Sequence, residues 1–203
     1  MLDASTNTPK PLNEPVLSFA PGSAEILKVT EAIAELRSQQ RELPMTIGGK
    51  RRMGAKTFEV REPHDMARVV GVASEATYQD AQDAIAAALA AAPTWRELPF
   101  DARAGIMLKA ADLLAGPWRY KMLAGTMLGQ SKTVFQAEID AACELIDFLR
   151  FNVAFAREIL AQQPISSPGV WNRMEHRPLE GFIYAITPFN FTAIAGNLPT
   201  APA

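Results

Sequence analysis

Near the end of the sequence one amide sits among apolar residues. In "GFIYAITPFNFTAIAGN", Asn190 follows Pro188 and Phe189 and precedes Phe191. A carboxamide N–H can donate to the oxyanion formed when a nucleophile attacks a carbonyl, typically contributing ~3–4 kcal/mol to a transition state. Pro188 removes one backbone donor and stiffens the approach. Asparagine is also a common turn residue, and type and spacing leave both readings open.

Glu144 is the second candidate. It lies in "TVFQAEIDAACELIDFLRFNVAFAREILAQQ", a stretch with helical periodicity. At about 100° per residue, Phe135, Ala142, Ile146, Leu149, Val153 and Leu160 share one face. Gln136, Asp140, Asp147, Arg150, Arg157 and Glu158 form a polar arc. A second apolar stripe holds Ala137, Ala141, Phe148, Phe151 and Phe155, with Glu144 in its middle. A helix apolar on two sides is mostly buried. Glu144 is therefore expected in poorly solvated surroundings, where it needs a partner or a proton. A structural salt bridge and a functional carboxylate are both open.

Other reactive residues are few. The lone cysteine, Cys143, precludes an internal disulfide and fits a reducing compartment. Inside a helix and beside a carboxylate its thiol pKa should rise, so it reads as a small core residue rather than a nucleophile. His64 and His176 lie near prolines in polar surroundings and read as surface-loop residues, without zinc spacing.

These residues require a scaffold. Residues 1–22 are rich in Pro, Asn and Ser and read as an arm or disordered leader. Ser23 caps an expected helix with Ile26, Val29, Ile33 and Leu36 on one face. "TIGGKRR" reads as a turn between short strands, and "FEVREP" and "RVVGVAS" as strands. Thr77, with Asp80 three residues on, caps a helix expected to end at Pro93. Two more helices should run from near Asp101 to Gly116 and from Arg119 to near Gly129. "PISSPGVWNRMEHRP" reads as an edge strand or protruding hairpin. "LEGFIYAIT" has the continuous apolar character of a strand buried on both faces, ending at Pro188. A helix-like stretch follows, which Pro199 should interrupt.

Composition narrows the function classes. The 203 residues are 48% hydrophobic and 21% charged, with net charge −2. There is no basic stripe for nucleic acid and no general attraction to an acidic membrane. The amino terminus has neither signal-peptide nor transit-peptide character, and no apolar run suits a bilayer. The expected location is cytoplasmic.

"ITPFNF" resembles the strand-end signature of the aldehyde dehydrogenase superfamily, with Phe189 where Trp is usual. "NEPVLSF", "LKAADLLAGPWR", "GQSKTVFQAEIDAACELIDFLRFN", "QQPIS" and "LEGFIYAITPFNFTAIAGNL" extend the resemblance over nearly the whole chain after the leader. They are most similar to its Δ1-pyrroline-5-carboxylate dehydrogenase branch. The resemblance implies NAD-dependent oxidation of L-glutamate γ-semialdehyde to glutamate in proline catabolism, through a cysteine thioester that a glutamate-activated water hydrolyses. It implies that Asn190 stabilises the oxyanion and that Thr187, Pro188 and Phe189 line the nicotinamide end of the cofactor. Phe191 would be a pocket wall, and Glu144 would meet the substrate's ammonium.

The implied fold is α/β: leading helices, a small β unit with an oligomerisation flap, and the first strand of a Rossmann-like domain. The implied divisions are a leader at 1–22, a helical and small-β part at 23–163, a flap segment at 164–180 and the start of the core at 181–203. In this family the catalytic cysteine, the general-base glutamate and a ribose-holding lysine come later than the Asn motif. The chain is therefore expected to be an N-terminal part, inactive alone, whose complete form assembles as a homo-oligomer. An aldehyde dehydrogenase for another aldehyde and a non-catalytic helical module are the alternatives.

Overall fold

The computed structural model describes residues 7–201. Helix α1 (Ala24–Arg37) is capped by the Ser23 hydroxyl, which accepts from Ile26 N. It buries Val29 and half-buries Ile26, Ile33 and Leu36, the expected face. Strands β1 (Arg41–Leu43), β2 (Met45–Ile47), β3 (Lys50–Arg52), β4 (Thr57–Glu62) and β5 (Asp65–Ser74) follow. β5 is central in a three-stranded sheet, antiparallel to β4 and parallel to β1. β1 had no clear sequence signal: its three residues are held by pairing, close to Gly71, where a side chain would meet Arg41 O at 2.8 Å. β2 and β3 form a separate hairpin. Its turn has positive φ at both Gly48 and Gly49, the backbone that a two-residue hairpin with right-handed twist needs.

Helix α2 (Tyr78–Glu97) opens with a complete capping box between Thr77 and Asp80. It does not end at Pro93 as expected but runs one turn further. No residue of α2 is buried, so water can satisfy the carbonyl that loses its donor. Helices α3 (Phe100–Ala115) and α4 (Arg119–Gln130) match expectation.

The long helix is not uniform. Thr133 and Gln136 box the start of α5 (Val134–Ala137); a π segment (Glu138–Cys143) leads into α6 (Glu144–Ala161). The wider turn slips the helical register, so the straight-helix projection fails upstream. Phe135, expected on the core face, is exposed, and Glu138 is fully buried. The core joins Phe19, Val29, Ala111, Leu123, Ala137, Ala141, Ala142, Leu145, Ile146, Leu149 and Ala193 across the arm, α1, α3, α4, α5, the π segment, α6 and the C-terminal segment.

The leader is an ordered arm over its described part; residues 1–6 lie outside the described residues. Phe19 inserts into the core with φ +50, a left-handed backbone costing ~1 kcal/mol or more that ring burial must offset. Upstream of it, Glu14 N donates to Asp147 Oδ1 at 2.7 Å and Leu17 N to Glu138 Oε1 at 2.9 Å.

Residues 164–180 form no strand. They make an exposed loop with a turn closed by Val170 N to Ser167 O at 3.0 Å. Its legs are joined by Gln163, whose Oε1 accepts from Met174 N at 2.8 Å. The strand expected from "LEGFIYAIT" is also absent: residues 182–188 run without a ladder partner among the described residues, mostly exposed. An apolar run becomes a strand only when another strand satisfies its N–H and C=O groups. After residue 190 the chain re-enters the fold, through a 3₁₀ turn (Ile194–Gly196) and α7 (Asn197–Thr200). Pro199 does not interrupt this helix, because it lies in the first turn, where no N–H donor is needed.

Total accessible surface is 13681 Å². A compact monomer of this mass would expose about 9300 Å². Much of the apolar exposure lies in residues 165–189 and on the outer side of α6, at Phe148, Phe155 and Ile159.

Candidate active site

The Asn190 segment is held by the end of α4. Gln130 is its last residue, and Ser131 stops the helix in a left-handed conformation (φ 54, ψ 33). With the Gln130 amide oriented to satisfy its surroundings, its oxygen accepts from Phe191 N (3.1 Å), Thr192 N (3.0 Å) and Thr192 Oγ1 (3.1 Å). Its nitrogen donates to Asn190 O at 2.9 Å. The Lys132 ammonium sits 4.3 Å from the Phe191 ring centroid and pairs with Asp140. Downstream, Ala193 and Ala195 are buried, and Asn152 Nδ2 donates to Asn197 Oδ1 at 2.8 Å.

Main chain and side chain of Asn190 therefore differ in role. The carbonyl is taken by Gln130, while the side-chain amide is exposed and forms no hydrogen bond among the described residues. It remains available as a donor. Thr187, Pro188 and Phe189 lead into it; Phe189 is 96% exposed. Phe191 is half-buried under Lys132. These residues come together as one exposed segment.

Glu144 departs from expectation. It is exposed, and Phe148 and Phe155, further along the same stripe, are 42% and 51% exposed. The second apolar stripe is buried only at Ala137 and Ala141; nothing among the described residues packs over its outer part. Glu144 forms no ion pair there either, so the structural salt bridge is not found. Its helix is nonetheless adjacent to the Asn190 segment, because the π segment packs against the Ile194–Gly196 turn.

Cys143 is buried within a charged network. Burial, then the charge of Glu138, pushes its thiol up to about 11. The direction matches expectation, but the carboxylate differs: Glu138, five residues earlier, lies 3.7 Å from the sulfur, because one π turn brings residues at i and i+5 together. Arg119 spans the network, donating to Glu138, to Glu14 Oε1 (2.5 Å) and to Pro15 O (3.0 Å). Burial opposes its charge, but the hydrogen bonds to Glu138 and Glu14 outweigh this and hold its pKa above the ordinary value.

His64 is a turn residue between β4 and β5, as expected, but it is engaged. Its Nε2 lies 3.0 Å from Glu62 Oε2 and its Nδ1 2.8 Å from Ser131 Oγ. Glu62 is fully buried and also binds Arg37 through both oxygens. The Arg37 hydrogen bonds hold the Glu62 carboxyl below its ordinary value.

Gln130, Lys132 and Asn152 were not expected at the site, and His64 was expected only as a surface-loop residue. "GQSK" stands at a helix end, but no local pattern reveals that it meets residues sixty positions later. Among the described residues no group of three or more His, Cys, Asp or Glu is placed to hold a metal ion, and no helix is long and apolar enough to cross a membrane.

Residues 51–203 match the model of the aldehyde dehydrogenase family. The chain is 48% identical to a Δ1-pyrroline-5-carboxylate dehydrogenase of Agaricus bisporus, over 98% of its own length and 37% of the relative's. It is 46% identical to the human mitochondrial protein of that name, over 98% and 35% of the two lengths. The crystal structure of the Mycobacterium tuberculosis Δ-pyrroline-5-carboxylate dehydrogenase bound with NAD superposes with a TM-score of 0.97 at 59% identity, covering 99% of this chain and 38% of that one. The chain thus spans a little over a third of the length of these relatives. With the family model matched over three quarters of its length and the fold superposing from end to end, the chain belongs to the aldehyde dehydrogenase family.

Proposed function

We propose that this chain supplies the oxyanion donor and part of the substrate and cofactor surface of an NAD-dependent dehydrogenase. Its reaction is oxidation of L-glutamate γ-semialdehyde to L-glutamate, a step of proline breakdown. The observation that carries this reading is the Asn190 segment. Its main chain is fastened by Gln130 and its side-chain amide is left free, in a chain 59% identical to an NAD-bound Δ-pyrroline-5-carboxylate dehydrogenase.

Asn190 donates its amide hydrogen to the oxygen of the attacked aldehyde, as charge builds there. Thr187, Pro188 and Phe189 offer an exposed, ring-bearing surface that suits a flat nicotinamide. NAD⁺, when bound, supplies the hydride acceptor. Phe191 walls the pocket from its place under Lys132. Glu144, exposed and without an ion pair among the described residues, offers a carboxylate able to meet the ammonium of an amino-acid substrate. Cys143 does not serve as nucleophile: it is buried, and its thiol is pushed up to about 11. In this reading the attacking thiolate comes from outside the 203 residues, and the chain alone is inactive.

The exposed loop at 164–180, with Ile165 92% and Trp171 81% exposed, is the surface by which the complete protein forms a homo-oligomer. The single unpaired cysteine suits a reducing compartment, which we take to be the cytoplasm. Several relatives carry "mitochondrial" in their names; fractionation of the source cells decides between the two.

The test is NADH formation by the enzyme containing this chain, with Asn190→Ala alongside. Glutamate γ-semialdehyde should be preferred over propanal, and the variant should lose about 100-fold or more in kcat. A preference for propanal would favour an aldehyde dehydrogenase for another aldehyde. Normal turnover by Asn190→Ala would remove the oxyanion role.

A further inference from the structure

We infer that Gln130 is the residue that positions Asn190, acting through the main chain of residues 190–192 and touching no reactant. The inference deepens the oxyanion reading of Asn190 and rests on it. Among the described residues the Asn190 amide has no hydrogen-bond partner, so its direction is inherited from its backbone. That backbone lies in an exposed stretch whose upstream side has no ladder partner among the described residues. Gln130 takes the Asn190 carbonyl and both following N–H groups with one side chain. A primary amide places a donor and an acceptor side by side on one planar group.

Its neighbours in sequence fix the grip. Ser131 ends α4 in a left-handed conformation, and its hydroxyl is tied to His64 Nδ1. Lys132 covers the Phe191 ring and is itself held by Asp140. Gln130 and Lys132, on either side of that helix end, thus hold three consecutive residues of the donor segment. A donor displaced by about 1 Å from a developing oxyanion can cost on the order of 100-fold in rate.

The test uses the enzyme containing this chain, with Gln130→Ala, Asn190→Ala and the double variant. Gln130→Ala should lower kcat about 10- to 100-fold and leave the aldehyde KM nearly unchanged, because oxyanion binding is expressed in the transition state. The double variant should be no slower than Asn190→Ala alone, since both act through one donor. Hydrogen exchange at the Phe191 and Thr192 amides should speed up in Gln130→Ala without any substrate present. If Gln130→Ala does not fold, the isosteric Gln130→Glu replaces it; a carboxylate oxygen against the Asn190 carbonyl should lower kcat likewise. A damaged Asn190→Ala beside a Gln130 variant of normal kcat overturns the positioning role alone. Losses that multiply in the double variant overturn it too. An undamaged Asn190→Ala overturns the oxyanion reading and the positioning role together.

Discussion

Arg119 Nε lies 3.2 Å from Glu138 Oε2 while its Nη2 pairs with Oε1, a two-point contact between α4 and the π segment with both side chains almost entirely buried. The same guanidinium reaches Glu14 and the Pro15 carbonyl, so one cation fastens the arm to the helices. Breaking such a pair from one side leaves an uncompensated charge, which costs ~3–5 kcal/mol. Arg119→Met should therefore lower stability to urea by that order. Arg119→Met with Glu138→Leu should recover part of the loss. A double variant that is the sum of the singles would show the two residues to be uncoupled.

Acid should weaken the β unit through Glu62. Arg37 hydrogen-bonds it most strongly, and His64 and Arg68 lie near. Its folded pKa is depressed below the ordinary 4.5. Stability from this group is thus fully present above that value and is lost as pH falls below it through the folded pKa. Melting temperature followed from neutral to acid pH should fall less steeply in Glu62→Gln than in the parent. Identical slopes would assign the acid sensitivity to other carboxylates.

Cys143 should resist alkylation. With its thiol pushed up to about 11 and the sulfur buried, the thiolate at pH near 7.5 is on the order of one in a few thousand. Iodoacetamide followed by intact-mass measurement should leave the folded protein unmodified and add one group after denaturation. Rapid labelling of the native form would contradict this burial.

Glu144 should matter to substrate and not to folding. Being exposed and without an ion pair among the described residues, it should change stability by less than about 0.5 kcal/mol when replaced by Gln. In the enzyme containing this chain, the same substitution should raise KM for glutamate γ-semialdehyde more than for propanal. Equal changes for the two aldehydes would deny it contact with the ammonium.

Local patterns carried much of this protein. The Ser23 and Thr77 caps, the Gly48-Gly49 turn, the apolar face of α1 and the burial of Cys143 could be read from neighbouring residues, because each is decided within a few positions. Asn190 could be singled out by its apolar setting. Tertiary structure decided the rest. The π segment turned Glu138 inward and gave Cys143 a different carboxylate neighbour, since helix projection assumes a regular turn. Glu144 is solvated because burial depends on what packs over a face, and nothing described here covers that side of α6. Residues 182–188 have strand-like composition but no strand, because a ladder needs a second chain segment. Gln130 and Asn190 meet across sixty positions of sequence, and only folding brings a helix end and a loop within hydrogen-bond reach.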